Sequence, residues 1–123
     1  MARSPREGAR GVRILVAITP RMYREAIAGY LLQHRPGYEV RIAAPENIEE
    51  EVILFAPHLL VRNDTDGLDR GVLEGVPCWI EVLYSDHMDA RISVDGRVEE
   101  SEDISTEVLL RVTDEAAAGM REP

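Results

Sequence analysis

Residues 13–32, with the sequence RILVAITPRMYREAIAGYLL, constrain the fold of this chain more than any other stretch. They begin with a run of apolar, partly β-branched residues at 14–18, which is typical of a buried strand. Thr19 and Pro20 predict a helix start, because a Thr hydroxyl can cap a helix and Pro suits the first helical position. The chain therefore opens with a strand that leads directly into a helix. The apolar stripe of that helix can pack on a sheet and is formed by Tyr23, Ile27, Tyr30 and Leu31.

Strands and helices continue to alternate up to residue 62. Residues 38–44 alternate between apolar and polar side chains, as in an edge strand, and a second helix begins at Pro45 with three glutamates near its positive end. A short apolar strand follows at 58–61. This order predicts an α/β fold, namely a three-layer sandwich with a mostly parallel sheet.

The second half of the chain predicts a change of strand direction. Glycines and aspartates break the region 62–77, so we expect only a shortened helix near 68–73. Residues 78–84 predict a strong strand, with Glu81 in its middle requiring solvent or a partner. Only five residues then precede the strand at 90–94. Because a parallel crossover does not fit there, we expect an antiparallel hairpin at the C-terminal edge.

Turn and cap signals complete the chain. Asp95-Gly96 predicts a second tight turn, followed by a short return strand at 97–99. Ser105 predicts the cap of a last helix. We expect residues 1–11 to form a disordered tail, 12–116 to form one domain and 117–123 to fray.

Composition narrows the classes of partner. The net charge is -9 and the pI is about 4.8, which argues against nucleic acid, because phosphate binding needs clustered basic residues. The longest apolar run, 52–56, is too short for a membrane span, and the first residues lack the apolar centre of a signal peptide. We therefore expect a cytoplasmic protein that uses neither nucleic acid nor membrane.

Few residues suggest catalysis. The single cysteine, Cys78, lies in an apolar run and is expected to be buried, while His58 opens a buried strand and is expected to be structural. Neither a Ser-His-Asp nor a Cys-His arrangement is indicated. We expect no enzyme activity and no cofactor.

Acidic residues follow the third and fourth strands, at the edge where α/β sheets bind ligands. Two interpretations remain open: a metal or small-ligand site, or solvated turns, in which aspartate is common. The spacings match no ligand motif, so the second interpretation is favoured and no metal site is expected. This acidic rim consists of Asp64, Asp66, Asp69, Asp86, His87 and Asp89.

Two segments, ILVAITPRMYREAIAGYLL and FAPHLLVRND, resemble the receiver domain of bacterial response regulators. Arg24-Glu25 falls where that family has a similar helix start, and PHLLV at 57–61 falls where it has a similar strand. The resemblance covers roughly residues 13–64 and implies a flavodoxin-like fold, with the sheet in the order 2-1-3-4-5.

Receivers place two acids after strand one, a phosphorylated aspartate after strand three, a hydroxyl after strand four and a lysine after strand five. The acids fall here on Ile18 and Thr19, the phosphoacceptor on Asn63 with Asp64 one residue later, and the hydroxyl on Ser85. The lysine has no counterpart, since all fourteen basic residues are arginine. Without the acids little is left to hold Mg²⁺. The resemblance therefore implies a degenerate receiver that does not turn over phosphate.

The resemblance implies a non-phosphorylatable, receiver-like module for protein interaction in signal transduction or regulation. The alternative is a small-ligand-binding domain or minor enzyme that uses the acidic rim. Because no helix fits between the fourth and fifth strands, we expect uncovered sheet there and a homodimer formed through it. The expected interface residues are Trp79, Val82, Ile92 and Val94.

Overall fold

The computed structural model describes residues 11–83, 89–102 and 104–121. Six strands and four α-helices lie within these ranges, and a 3-10 turn, Pro45–Asn47, precedes the second helix. In chain order they are β1 Arg13–Val16, α1 Arg21–His34, β2 Glu39–Ile42, α2 Ile48–Phe55, β3 Leu59–Asn63, α3 Arg70–Glu74, β4 Cys78–Val82, β5 Ala90–Val94, β6 Arg97–Ser101 and α4 Thr106–Arg121.

The six described strands form one mixed sheet in the order β2-β1-β3-β4-β5-β6. The strand β1 pairs in parallel with β2 and β3, and β3 pairs in parallel with β4. The pairs β4–β5 and β5–β6 are antiparallel. The predicted order of the first five strands and the predicted hairpin agree with this sheet, and β6 extends its C-terminal edge.

Two hydrophobic clusters lie on opposite faces of the sheet, because successive side chains of a strand point to opposite faces. Ile14 and Val16 of β1 belong to the first cluster, which also contains side chains of α1 and α4. Leu15 belongs to the second cluster, which contains side chains of α2 and α3. Helices thus contribute to both clusters.

The expectation that the β4–β5 hairpin leaves apolar sheet uncovered is wrong for three of the four proposed interface residues. Val82, Ile92 and Val94 are only 2%, 0% and 8% exposed, because they pack in the first cluster with Val112 and other residues of α4. Trp79 packs against the second cluster, on the opposite face, and is half-buried. The four side chains therefore do not share one surface.

Several element ends differ from the sequence prediction. The helix α1 begins at Arg21 with Pro20 in the capping position and without a side-chain cap, so Thr19 does not cap it. The helix α4 continues to Arg121, past the point where fraying was expected. Its predicted cap is present, since the Val108 N–H donates to Ser105 Oγ at 3.2 Å. None of the helices in the described ranges is long and apolar enough to cross a membrane.

Candidate functional site

Thr19 and Asn63 lie side by side at the carboxyl ends of β1 and β3, because these two strands are parallel neighbours. The Thr19 backbone N–H donates to Asn63 Oδ1 at 2.7 Å, and the Thr19 hydroxyl donates to the same oxygen at 2.9 Å. Asn63 is only 6% exposed, so a buried amide oxygen accepts both bonds. The two residues that the resemblance aligns with an acid and with the phosphoacceptor therefore bind each other.

The other positions of the predicted receiver pocket differ in character. Ile18 is fully buried in the first hydrophobic cluster. Asp64 follows β3, and its backbone N–H donates to the Val82 carbonyl at 3.1 Å. Ser85 lies outside the described residues, as do Asp86 and His87 of the acidic rim. The structure thus brings together Thr19 and Asn63.

Two acids of the predicted rim have local structural roles. Asp69 caps α3 by accepting hydrogen bonds from the Gly71 and Val72 N–H groups at 3.0 and 3.3 Å. Asp66 pairs with Arg62 and also accepts from the Leu68 N–H at 2.9 Å. No group of three or more His, Cys, Asp or Glu side chains that could hold a metal ion occurs among the described residues.

A row of alternating charges crosses β3, β4 and β5. Arg62 lies opposite Glu81, and Glu81 lies opposite Arg91. Arg62 donates Nε and Nη2 to the two oxygens of Asp66 at 2.9 and 2.6 Å, and it donates Nη1 to Glu81 Oε2. Arg91 donates to the other oxygen of Glu81, Oε1, at 2.6 Å. Glu81 therefore bridges two arginines. They are the partners that the sequence analysis expected for a charged residue within an apolar strand.

Burial sets the energetics of this row. Arg62 is only 4% exposed, and burial alone lowers the pKa of its guanidinium group, but the hydrogen bonds and charges of Asp66 and Glu81 outweigh that effect and raise the pKa. Arg62 and Glu81 lie near the carboxyl ends of β3 and β4, while Arg91 lies near the amino end of the antiparallel β5. Sequence reasoning did not identify Arg62 or Arg91, although charged residues within three successive apolar strands are the signal of such a row.

An apolar pocket of about 180 Å³ opens next to Ile18, between the starts of α1 and α4. Apolar atoms form almost all of its lining. This pocket could not be predicted from the sequence, because its lining residues come from five separate parts of the chain. They are Ile18, Tyr23, Ala26, Ile27, Val61, Val82, Ile104, Ser105, Thr106 and Leu109.

His58 and Cys78 lie at the opposite end of the sheet. The His58 Nδ1 accepts the Arg13 backbone N–H at 3.0 Å, and burial, together with the charge of Arg13, lowers the pKa of His58. Cys78 is 2% exposed, which confirms its predicted burial, and that burial raises the pKa of its thiol to about 11. A thiol with such a pKa is protonated near neutral pH and is a weak nucleophile.

Comparison of the chain with protein-family models, with curated proteins and with solved structures finds no match in any of the three.

Proposed function

We propose that this chain is a receiver-like module for protein interaction in signal transduction or regulation, and that it works without phosphorylation in the cytoplasm. The bonding of Thr19 to Asn63 carries this proposal. Thr19 and Asn63 stand at the positions that the resemblance assigns to a metal-binding acid and to the phosphoacceptor.

The chemistry of these residues does not suit phosphoryl transfer. A receiver needs a carboxylate as nucleophile and further carboxylate oxygens for Mg²⁺, which prefers oxygen ligands in octahedral geometry. Asn63 offers an amide whose oxygen already accepts two hydrogen bonds, and Ile18 offers a buried apolar side chain. Asp64 is the acid next to Asn63 in the chain, and it is the residue to test.

The arrangement of helices supports the family assignment. The first cluster contains α1 and α4, and the second contains α2 and α3, as expected of a three-layer sandwich. The sheet begins with the parallel order β2-β1-β3-β4, which supports the mostly parallel core of that family.

Exposed apolar side chains support a role in protein interaction. Ile53 and Leu54 are neighbours on α2 and are 63% and 71% exposed. Adjacent large apolar side chains on one helix offer surface that a protein partner can cover. Met22 on α1 and Val98 on β6 are also exposed, at 71% and 56%.

Intact-mass measurement tests the absence of phosphorylation. The protein is incubated with acetyl phosphate and Mg²⁺, beside an active receiver as positive control. We expect no added phosphate on the wild-type chain. A mass increase of one phosphate group that disappears in the Asp64→Asn variant would contradict the proposal. The Asn63→Asp variant serves as a matched control, since it restores a carboxylate but not the acids at the end of β1.

The apolar pocket next to Ile18 favours a second candidate function, the binding of a small apolar ligand. Its volume of about 180 Å³ resembles that of a cavity of roughly 150 Å³ known to bind benzene. None of the described rim acids, Asp64, Asp66, Asp69 and Asp89, lines this pocket, and the described lining is almost entirely apolar, so the ligand would be apolar. Indole should then raise the melting temperature of the wild type but not of Ala26→Phe, in which the new ring fills the pocket mouth. Equal melting temperatures with and without indole in the wild type would exclude this candidate.

A further inference from the structure

The strand β6 forms one edge of the sheet, and its backbone hydrogen bonding shows which residues face outward. Two bonds flank the β4–β5 ladder: Leu83 N–H donates to the Asp89 carbonyl at 2.8 Å, and Asp95 N–H donates to the Pro77 carbonyl at 2.9 Å. Residue pairs joined by backbone hydrogen bonds alternate with pairs that are not, along an antiparallel ladder. The odd-numbered residues of β5 therefore form backbone hydrogen bonds with β4, while Ala90, Ile92 and Val94 form them with β6.

The register then fixes the direction of the backbone groups in β6. Ala90, Ile92 and Val94 lie opposite Ser101, Glu99 and Arg97, so these three residues of β6 direct their N–H and C=O groups toward β5. The intervening residues, Val98 and Glu100, direct theirs toward the open edge.

This edge is accessible within the described part of the chain. No described strand lies beyond β6 in the sheet, and all its residues except the half-buried Ser101 are exposed. Outward N–H and C=O groups on such a strand can pair with another strand.

We infer that β6 pairs with β6 of a second copy of this chain, antiparallel and with the two-fold axis at Val98. Two copies related in this way place Val98 opposite Val98 of the second copy, and the outward N–H of each Val98 can bond the outward C=O of the other. Arg97 then lies opposite Glu99 of the second copy, and this pair occurs twice.

Charge selects this register over its neighbours. A two-fold axis at Arg97, at Glu99 or at Glu100 would place the same charge directly opposite itself, which is destabilising. An axis at Ser101 would place Glu100 opposite Glu102. Only Val98, among the residues of β6, can lie on the axis without a directly opposed pair of like charges.

The neighbouring side chains fit this arrangement. Glu99 pairs with Arg111 of its own chain, and both side chains remain about half exposed, so a second arginine can approach. On the other face, Val98 lies in register with Ser93, and Ser93 lies in register with Trp79, so the two valines would extend a row that begins at an aromatic side chain. The association uses a short strand and exposed ion pairs, and is therefore expected to be weak.

This inference goes beyond the proposed function, because it names a partner and does not depend on phosphate chemistry. Sedimentation equilibrium from micromolar to millimolar protein is the test. The wild type should approach twice the 13.8 kDa of one chain. The Arg97→Glu and Glu99→Arg variants should each remain monomeric, because each places like charges opposite one another twice.

An equimolar mixture of the two variants provides the decisive comparison. In the mixed dimer both cross-strand pairs again join opposite charges, so the mixture should recover the mass of a dimer. The Val98→Pro variant removes an outward N–H and no N–H that bonds to β5, so it should also remain monomeric, while Val98→Thr should dimerise. Circular dichroism establishes that each variant is folded.

Three results would overturn the inference. They are a wild-type mass of one chain at millimolar concentration, single-charge variants that dimerise as the wild type does, and a mixture that stays monomeric while the wild type dimerises. The first excludes self-association, and the other two exclude this register.

Discussion

Replacing Glu81 with leucine should destabilise the fold more than replacing Arg91 with leucine. Glu81 accepts hydrogen bonds from Arg62 and Arg91, so the substitution leaves one bond of each arginine unmade. Arg62 is 4% exposed, and water cannot replace the lost partner freely. Leucine has a similar volume, so the loss of charge pairing dominates over any cavity.

The expected loss can be bounded from the contacts. Removing one partner of a buried ion pair costs about 3–5 kcal/mol. Arg62 retains its two bonds to Asp66, which keep its charge paired. The cost should therefore lie near the lower end, about 3 kcal/mol, which is a large share of the roughly 5–15 kcal/mol that stabilises a typical domain.

Urea denaturation followed by circular dichroism measures this change, and Arg91→Leu is the matched control. The Arg91 side chain is 42% exposed, and its loss leaves Glu81 paired with Arg62, so about 1 kcal/mol or less should be lost. Equal losses in the two variants would refute the reasoning, because they would mean that burial of Arg62 adds nothing to the pairing.

Three further predictions concern one half-buried and two buried side chains, namely His58, Asn63 and Cys78. Asn63→Ala should lower the free energy of unfolding by about 1–3 kcal/mol, because it leaves the Thr19 N–H and hydroxyl unpaired, whereas Asn63→Asp, which retains an acceptor, should cost less in the same urea experiment. The Cys78 thiol should resist a thiol reagent in the native protein, since it is 2% exposed and has a pKa of about 11, and rapid labelling without unfolding would contradict its burial. The pKa of His58 is lower in the folded chain than its ordinary 6.5, so its contribution to stability is complete above that pH and is lost as the pH falls through the lowered pKa. The His58→Asn variant keeps an acceptor for the Arg13 N–H, so its free energy of unfolding should fall less than that of the wild type between about pH 7 and pH 5. Urea denaturation at each pH measures this difference.

Local sequence patterns predicted much of the fold. Apolar runs identified the strands near residues 14 and 59, and the short connection before residue 90 correctly predicted the antiparallel hairpin. Asp95-Gly96 correctly predicted a two-residue turn, in which both residues have positive φ, 52° and 88°. These features depend on neighbouring residues, so they can be predicted without knowledge of tertiary contacts.

The parts that could not be predicted depend on contacts between distant segments. Sequence alone did not show that α4 covers Val82 and Ile92, because the face on which a terminal helix packs is set by the whole sheet. The bond between Thr19 and Asn63 joins residues that are 44 positions apart. Thr19 was expected to cap α1, which is the local use of its hydroxyl, but the parallel pairing of β1 and β3 brings it to an amide instead.

Backbone amide NMR spectra of the protein, recorded with Mg²⁺ and beryllium fluoride together, test the central proposal most directly, because beryllium fluoride mimics a phosphoryl group on a carboxylate. If the pairing of Thr19 with Asn63 keeps a phosphoryl group out of the predicted receiver pocket, the resonances of Thr19, Asn63 and Asp64 should not change at any concentration of the two reagents. Saturable shifts at these three residues that require both reagents would contradict the proposal and would show that the pocket binds a phosphoryl group.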